Sequence, residues 1–227
     1  MIVALDGPAG SGKSSSAQAV AERTGLLHVD TGLVYRMLAL IAKRTGRAGQ
    51  DGNWHNLLEL DLSLLEVEWV RTDAELSPVY DDLHWRDLIR EADITAGAAY
   101  LAQVPAGRSQ VIDMVRVLAS NQHLIVSGRD TGTAIFPDAP LKIFLTADLE
   151  TRATRRLLQR GTACPPLDIL TREMQELDAR DRLDRERPIA PLRVASDAVV
   201  IDTTDLTFDQ QVQLILDHIT MAGFALF

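Results

Sequence analysis

The stretch IVALDGPAGSGKSSSAQAV, residues 2–20, decides the fold. Ile2, Val3, Ala4 and Leu5 form an unbroken apolar run of strand length, and the sequence from Lys13 to Thr24 reads as a helix. Between them lies DGPAGSGKSS, residues 6–15, which fits GxxxxGKS at Gly7, Pro8, Ala9, Gly10, Ser11, Gly12, Lys13 and Ser14, with Ser15 following. Glycines let a backbone curl until successive N–H groups and the next helix N-terminus converge on an anion. Lys13 adds a point charge, and the Ser14 hydroxyl suits Mg²⁺. A glycine turn without a ligand is the plainer reading, but a strand before and a helix after form the context a phosphate site needs. The stretch predicts a bound nucleoside triphosphate, ATP.

Outward from this loop, apolar runs of strand length alternate with helical patterns. The strands are expected at 26–29, 123–126, 141–146 and 198–201, and helices at 32–45, 149–160 and 208–221. Repeated strand-then-helix order with continuously apolar strands predicts an α/β fold built on a buried parallel sheet. Residues 62–84 break the rhythm. Leu65, Val67 and Trp69 alternate with Glu66 and Glu68, a polar turn covers 72–75, and a second run at 76–80 carries Pro78. That pattern predicts an inserted antiparallel hairpin with one wet face and an edge strand. Gly161, Pro165 and Pro166 mark 161–167 as a surface loop, the tip of a flap between two Arg-rich helical segments.

Composition narrows the function classes. The 227 residues carry a net charge of −9, which argues against a nucleic-acid polymer as partner. No apolar stretch approaches membrane-spanning length, and Met1 leads straight into strand-like sequence, so a cytoplasmic chain without a cleaved leader is expected. Cys164 is the single cysteine and has no internal partner. With no oligomer signal, a monomer without an obligate protein partner is the expectation. None of the five histidines falls in a metal-ligand or triad pattern. Only Lys13, Lys43 and Lys142 are lysines among the 23 basic residues, so the positive charge is nearly all guanidinium, the planar fork suited to phosphate and carboxylate.

Three later segments place such charges. In DTGLVYR, residues 30–36, Asp30 or Thr31 can cap the following helix, and Arg36 lies one turn in, close to the strand edge where ligands of open α/β sheets collect. An exposed surface arginine is the alternative. SGRDTGTAIFPDAP, residues 127–140, brings Arg129 and Asp130 off a strand end between Gly128 and Gly132, as a site pair or as a turn salt bridge. Arg108 lies in the helical run before that strand, where nothing local separates it from Arg116. In ARDRLDRERPIAPL, residues 179–192, Arg180, Asp184 and Arg187 align on one helix face and Pro188 ends the helix. A solvated, salt-bridged helix has the same composition.

As an ordered set, GPAGSGKS, DTGLVYR, GRDTGTAIFPDAPLKIFL and RDxxDxxR followed by APL resembles the cytidylate kinase family of nucleoside monophosphate kinases, over nearly the whole chain. The resemblance implies a three-layer P-loop kinase fold with a five-stranded parallel core sheet, an inserted hairpin subdomain for the nucleoside monophosphate and a helical lid. The divisions would be a core of 1–46, 107–151 and 188–227, an insertion of 47–106 and a lid of 152–187. It implies phosphorylation of CMP and dCMP by ATP with Mg²⁺. Arg36, Arg129 and Arg180 would clamp the acceptor phosphate, with Thr31 nearby. Arg108 and Asp130 would read the cytosine edge, Asp184 and Arg187 the sugar, and Arg152 and Arg156 would approach the donor phosphates. Kinases of shikimate, AMP or UMP, and an ATP-binding module without transfer, are the competing readings. Three positions depart from the family pattern. Ala99 stands where relatives carry a serine that helps read cytosine, Ser127 where they carry an acid before GRD, and residues 113–115 lack the usual basic and glutamine character.

Overall fold

The computed structural model describes residues 1–47, 53–55, 67–79, 85–89 and 91–224. Five strands form one parallel sheet: β1 (Ile2–Asp6), β2 (Leu27–Asp30), β5 (Leu124–Gly128), β6 (Leu141–Thr146) and β7 (Val199–Asp202), in the order β2-β5-β1-β6-β7. The phosphate loop leaves β1 at the centre, so the strand ends on both sides converge on it. β1 pairs with β5 from Ile2↔Leu124 to Asp6↔Gly128 and with β6 from Val3↔Leu141 to Asp6↔Phe144. The α/β expectation holds. The apolar runs became strands because both sheet faces are covered, leaving Val3, Leu5, Ile125 and Leu145 with no exposure.

One face packs on α1 (Lys13–Thr24) and α8 (Phe208–Met221) through Val20, Val212, Ile215 and Ile219. The other packs on α2 (Thr31–Arg44), α4 (Ala92–Leu101) and α5 (Pro105–Ala119) through Met37, Leu38, Ile94, Leu101 and Val111. Burying a side chain such as Leu38 contributes about 1.5–3 kcal/mol. The hairpin is present as β3 (Glu68–Arg71) and β4 (Leu76–Val79), antiparallel, with Trp69 opposite Pro78. It lies against the β2 edge, where the His28 amide donates to the Ala74 carbonyl at 2.8 Å. The positions expected to continue the hairpin, 62–66 and 80–84, lie outside the described residues. A short helix, α3 (Trp85–Leu88), follows it. Trp54, Leu76, Trp85 and Ile94 join the same apolar cluster as α2, so the inserted segment shares the core's interior.

The Arg-rich segments are α6 (Leu149–Gln159) and α7 (Leu167–Glu186), joined by the 160–166 connection that carries exposed Cys164. Pro188 stops α7 as expected, with Arg187 as its C-cap. Among the described residues no helix is long and apolar enough to cross a membrane.

Candidate active site

At Gly7, φ is 152° and a Cβ would stand 2.0 Å from the Leu145 carbonyl oxygen of β6, so only glycine lets the chain turn out of the sheet there. Gly12 (φ 87°) then precedes α1 in the left-handed region, and no side chain caps that helix. The first-turn amides of α1 are therefore aimed at the cleft without a side-chain partner. Lys13 is buried and folds back onto its own loop, donating to the Pro8 carbonyl at 2.7 Å and the Ser11 hydroxyl at 3.3 Å. Burial, and next the Arg129 guanidinium, push its pKa well below the ordinary lysine value, against the pull of Asp30, Asp6 and Asp181. A polyanion in the loop would reverse that balance. Ala9, Gly10, Gly12, Lys13, Ser14 and Ser15 line the cleft, whereas Gly7, Pro8 and Ser11 do not.

The cleft has a volume of about 870 Å³, near the top of the range for single-ligand pockets. Lining the same cleft are Arg36 from α2, Arg129 from the end of β5 and Arg180 from α7. Arg180 makes no hydrogen bond or ion pair with a described residue, and its pKa is pushed down to about 10, first by burial, then by Arg129 and Arg36, with Arg156 adding to them against the pull of Asp184. Like charges this crowded mark a place that an anion completes. Arg129 is held by Asp184, Nε to Oδ2 at 2.7 Å. The charge run of 179–192 is thus a cleft wall, since Arg180, Asp184 and Arg187 all line it.

Deeper in, Asp130 joins two arginines. Arg108 is buried, donates to the Ala102 carbonyl at 3.1 Å and ion-pairs with Asp130 Oδ2, while Arg187 donates to Oδ1 at 2.8 Å. Arg116, its look-alike on the same helix, serves the 134 and 135 carbonyls instead. Asp130 leads into a π-helical turn, Thr131–Ile135, which Asp6 anchors by accepting the Thr131 and Gly132 amides at 2.7 Å each. Thr31 donates to the Ser127 carbonyl at 3.0 Å and also lines the cleft. Tyr35, which no sequence signal singled out, lines it too, and its buried hydroxyl has no partner among the described residues. Leaving such a hydroxyl unpaired costs about 1–3 kcal/mol.

The two arginines expected beside the donor phosphates part company. Arg156 lines the cleft and pairs with Glu173 at 3.0 Å. Arg152 does not line it. Its guanidinium faces into the protein, donating to the Ala147 and Ala9 carbonyls at 3.0 Å each and ion-pairing with Asp181. Asp181 in turn accepts the Ala9 amide at 3.0 Å, so α6 and α7 together grip the phosphate loop. Arg155, not Arg152, takes the cleft position on α6, held by the Thr203 hydroxyl and carbonyl at 2.8 and 2.6 Å.

Ser14 and Asp30 form an oxygen pair suited to a hard cation. The Ser14 hydroxyl donates to Asp30 Oδ2 at 2.7 Å, while Oδ1 caps α2 by accepting the Gly32 and Leu33 amides at 2.9 and 3.3 Å. Burial would raise Asp30, but the neighbouring His28 imidazole, the Ser14 hydrogen bond, Arg36 and the Leu33 amide outweigh it and hold the carboxyl below its usual value. Hydroxyl plus ionised carboxylate is the donor chemistry Mg²⁺ takes. Ser127 is turned away from this pair: its hydroxyl lies 2.9 Å from Nε2 of buried His28, whose pKa burial lowers against the opposing charges of Asp30 and Glu75.

A central strand feeding GxxxxGKS into a helix, within a five-stranded parallel sheet whose edge carries opposed cationic groups, defines a P-loop kinase fold. The chain belongs to the cytidylate kinase family, whose model matches residues 3–221. The cytidylate kinase of Methylococcus capsulatus is 40% identical over 219 residues, covering 95% of both chains. That of Pseudomonas fluorescens is 36% identical over 228 residues, covering 99% of this chain and 97% of the other. Among solved structures, an uncharacterized protein from Eubacterium ventriosum aligns at a TM-score of 0.50 with 15% identity, over 97% of this chain and 98% of that one, a likeness of fold alone.

Proposed function

We propose that the protein transfers the γ-phosphoryl group of ATP to the phosphate of CMP or dCMP, giving ADP and CDP or dCDP. The observation that carries this reading is the presence, in one cleft, of the phosphate loop with Lys13 and of a second cationic cluster, Arg36, Arg129 and Arg180. A nucleotide-binding module needs the first set, and only a second phosphorylated ligand needs the other. Membership of the cytidylate kinase family supports the choice of ligand.

An oxygen of the acceptor phosphate, ionised at neutral pH, attacks the γ-phosphorus in line, and the bond to the bridging oxygen breaks, leaving ADP with the electron pair. No side chain has to remove a proton, which fits a cleft with no histidine among its described lining residues. The work left to the protein is electrostatic and positional. Lys13 exchanges its carbonyl partner for donor phosphate oxygens, and Arg129 shifts from Asp184 towards the acceptor. Ser14 and Asp30 would hold Mg²⁺, which when bound offsets the charge of the donor phosphates. Asp130 faces the base, with Arg187 and Arg108, the latter not itself in the cleft lining, joined to its carboxylate. On this reading residues 152–187 form a lid over the core, and the 161–167 tip closes when both ligands are in place, excluding water as a competing acceptor.

Ala99 lines the cleft with a methyl group where a hydroxyl would meet the base. Discrimination between CMP and UMP is therefore expected to be weaker than in relatives with serine there. A panel of CMP, dCMP, UMP, AMP and shikimate in a coupled ADP-release assay tests both points. CMP and dCMP should give the highest kcat/KM with UMP measurable. Preference for AMP or shikimate would overturn the assignment, and ATP binding without acceptor-dependent ADP release would indicate a module that has lost transfer.

A further inference from the structure

Tyr35 sits one residue before Arg36 on α2, yet its surroundings differ from those of the arginine cluster. It is 7% exposed, its hydroxyl is buried with no partner among the described residues, and it lines the same cleft as Ala98 and Ala99 of α4 and Ala102, the C-cap of that helix. The charged groups that act on its phenol are Arg108, Asp130 and Arg187. Arg108 and Arg187 are both joined to the Asp130 carboxylate, so this corner has less uncompensated positive charge than the Arg36, Arg129 and Arg180 corner, where Asp184 is the paired acid. Flat methyl walls and a neutral, unused hydrogen-bonding group suit a planar heterocycle with polar edges, and suit a phosphate poorly. Burial above all pushes the phenol up to about 12, so it keeps its proton throughout the neutral range and can donate.

We infer that Tyr35 is a base-binding residue whose hydroxyl donates to a carbonyl oxygen or ring nitrogen of the acceptor's pyrimidine, a role that rests on the proposed CMP kinase reading. The hydroxyl, without a partner among the described residues, gains one when the nucleotide enters. A purely structural tyrosine would already hold one.

The test is calorimetric binding of CMP, dCMP and ATP, each alone, to the wild-type protein and to Tyr35→Phe, with a thermal melt of both. The Kd for CMP and for dCMP should rise about tenfold, the size of one buried hydrogen bond. Affinity for ATP should stay unchanged, and the melting temperature should be equal or higher, because the variant removes an unpaired buried hydroxyl. Unchanged CMP affinity in the variant overturns the inference. So does a loss confined to CMP, which would place the hydroxyl on the ribose 2′ position. A wild-type protein that neither binds nor phosphorylates CMP overturns the kinase reading along with it. A wild type that does both, paired with an indifferent Tyr35→Phe, overturns the Tyr35 assignment alone.

Discussion

Arg129 stands at the junction of the two ligand sets: it leaves β5 beside the phosphate loop, lowers the pKa of Lys13 and pairs with Asp184 of α7. Arg129→Ala is expected to reduce turnover by about 10³-fold or more, by analogy with other arginines that stabilise a transferring phosphoryl group. ATP affinity should be largely kept, because the loop amides and Lys13 are untouched. An unchanged rate would remove Arg129 from the clamp. At this scale the sequence was most readable where one residue's chemistry is local. Asp30 caps α2 and Pro188 ends α7, as short-range rules require. Arg108 and Arg116 could not be told apart, since what separates them is contact with Asp130, 22 residues on. Tyr35 was invisible for the same reason, as its hydroxyl is defined by having no partner among the described residues.

Helices α6 and α7 carry the flap, and their hold on the phosphate loop runs through one buried pair. The Arg152 and Asp181 side chains are 9% and 1% exposed, and between them they bind both the carbonyl and the amide of Ala9. Asp181→Asn leaves Arg152 buried without its counter-charge, a loss of about 3–5 kcal/mol. The folded variant should show a raised KM for ATP with the KM for CMP little changed. Replacing the pair together, as Arg152→Met with Asp181→Leu, should recover stability but not the ATP KM. A normal ATP KM in Asp181→Asn would reduce the pair to a structural brace. Spacing could align Arg180, Asp184 and Arg187 on one face, but among the seven acids of that helix nothing marked Asp181. α4 escaped notice for another reason: ADITAGAAYL is rich in small residues with a central glycine, a weak helical pattern. A Cβ at Gly97 would lie 2.6 Å from the Trp54 ring, so packing across the insertion accounts for the glycine.

For the molecule as a whole, the parallel sheet followed from the alternation of apolar runs and helical patterns, because strands covered on both faces are apolar throughout and sequence records that directly. Strand order, with β1 between β5 and β6, is a long-range property that no local pattern carries. That order nonetheless makes the site, since it brings the ends of β1, β2 and β5 to one cleft. The central claim is that this cleft passes a phosphoryl group directly from a triphosphate to a cytidine monophosphate. Incubation with ATP labelled in the γ-phosphate, Mg²⁺ and CMP, followed by separation of the products, tests it most directly. The account predicts that the label appears in CDP in step with ADP formation; label released as inorganic phosphate, or retained in ATP, would contradict it.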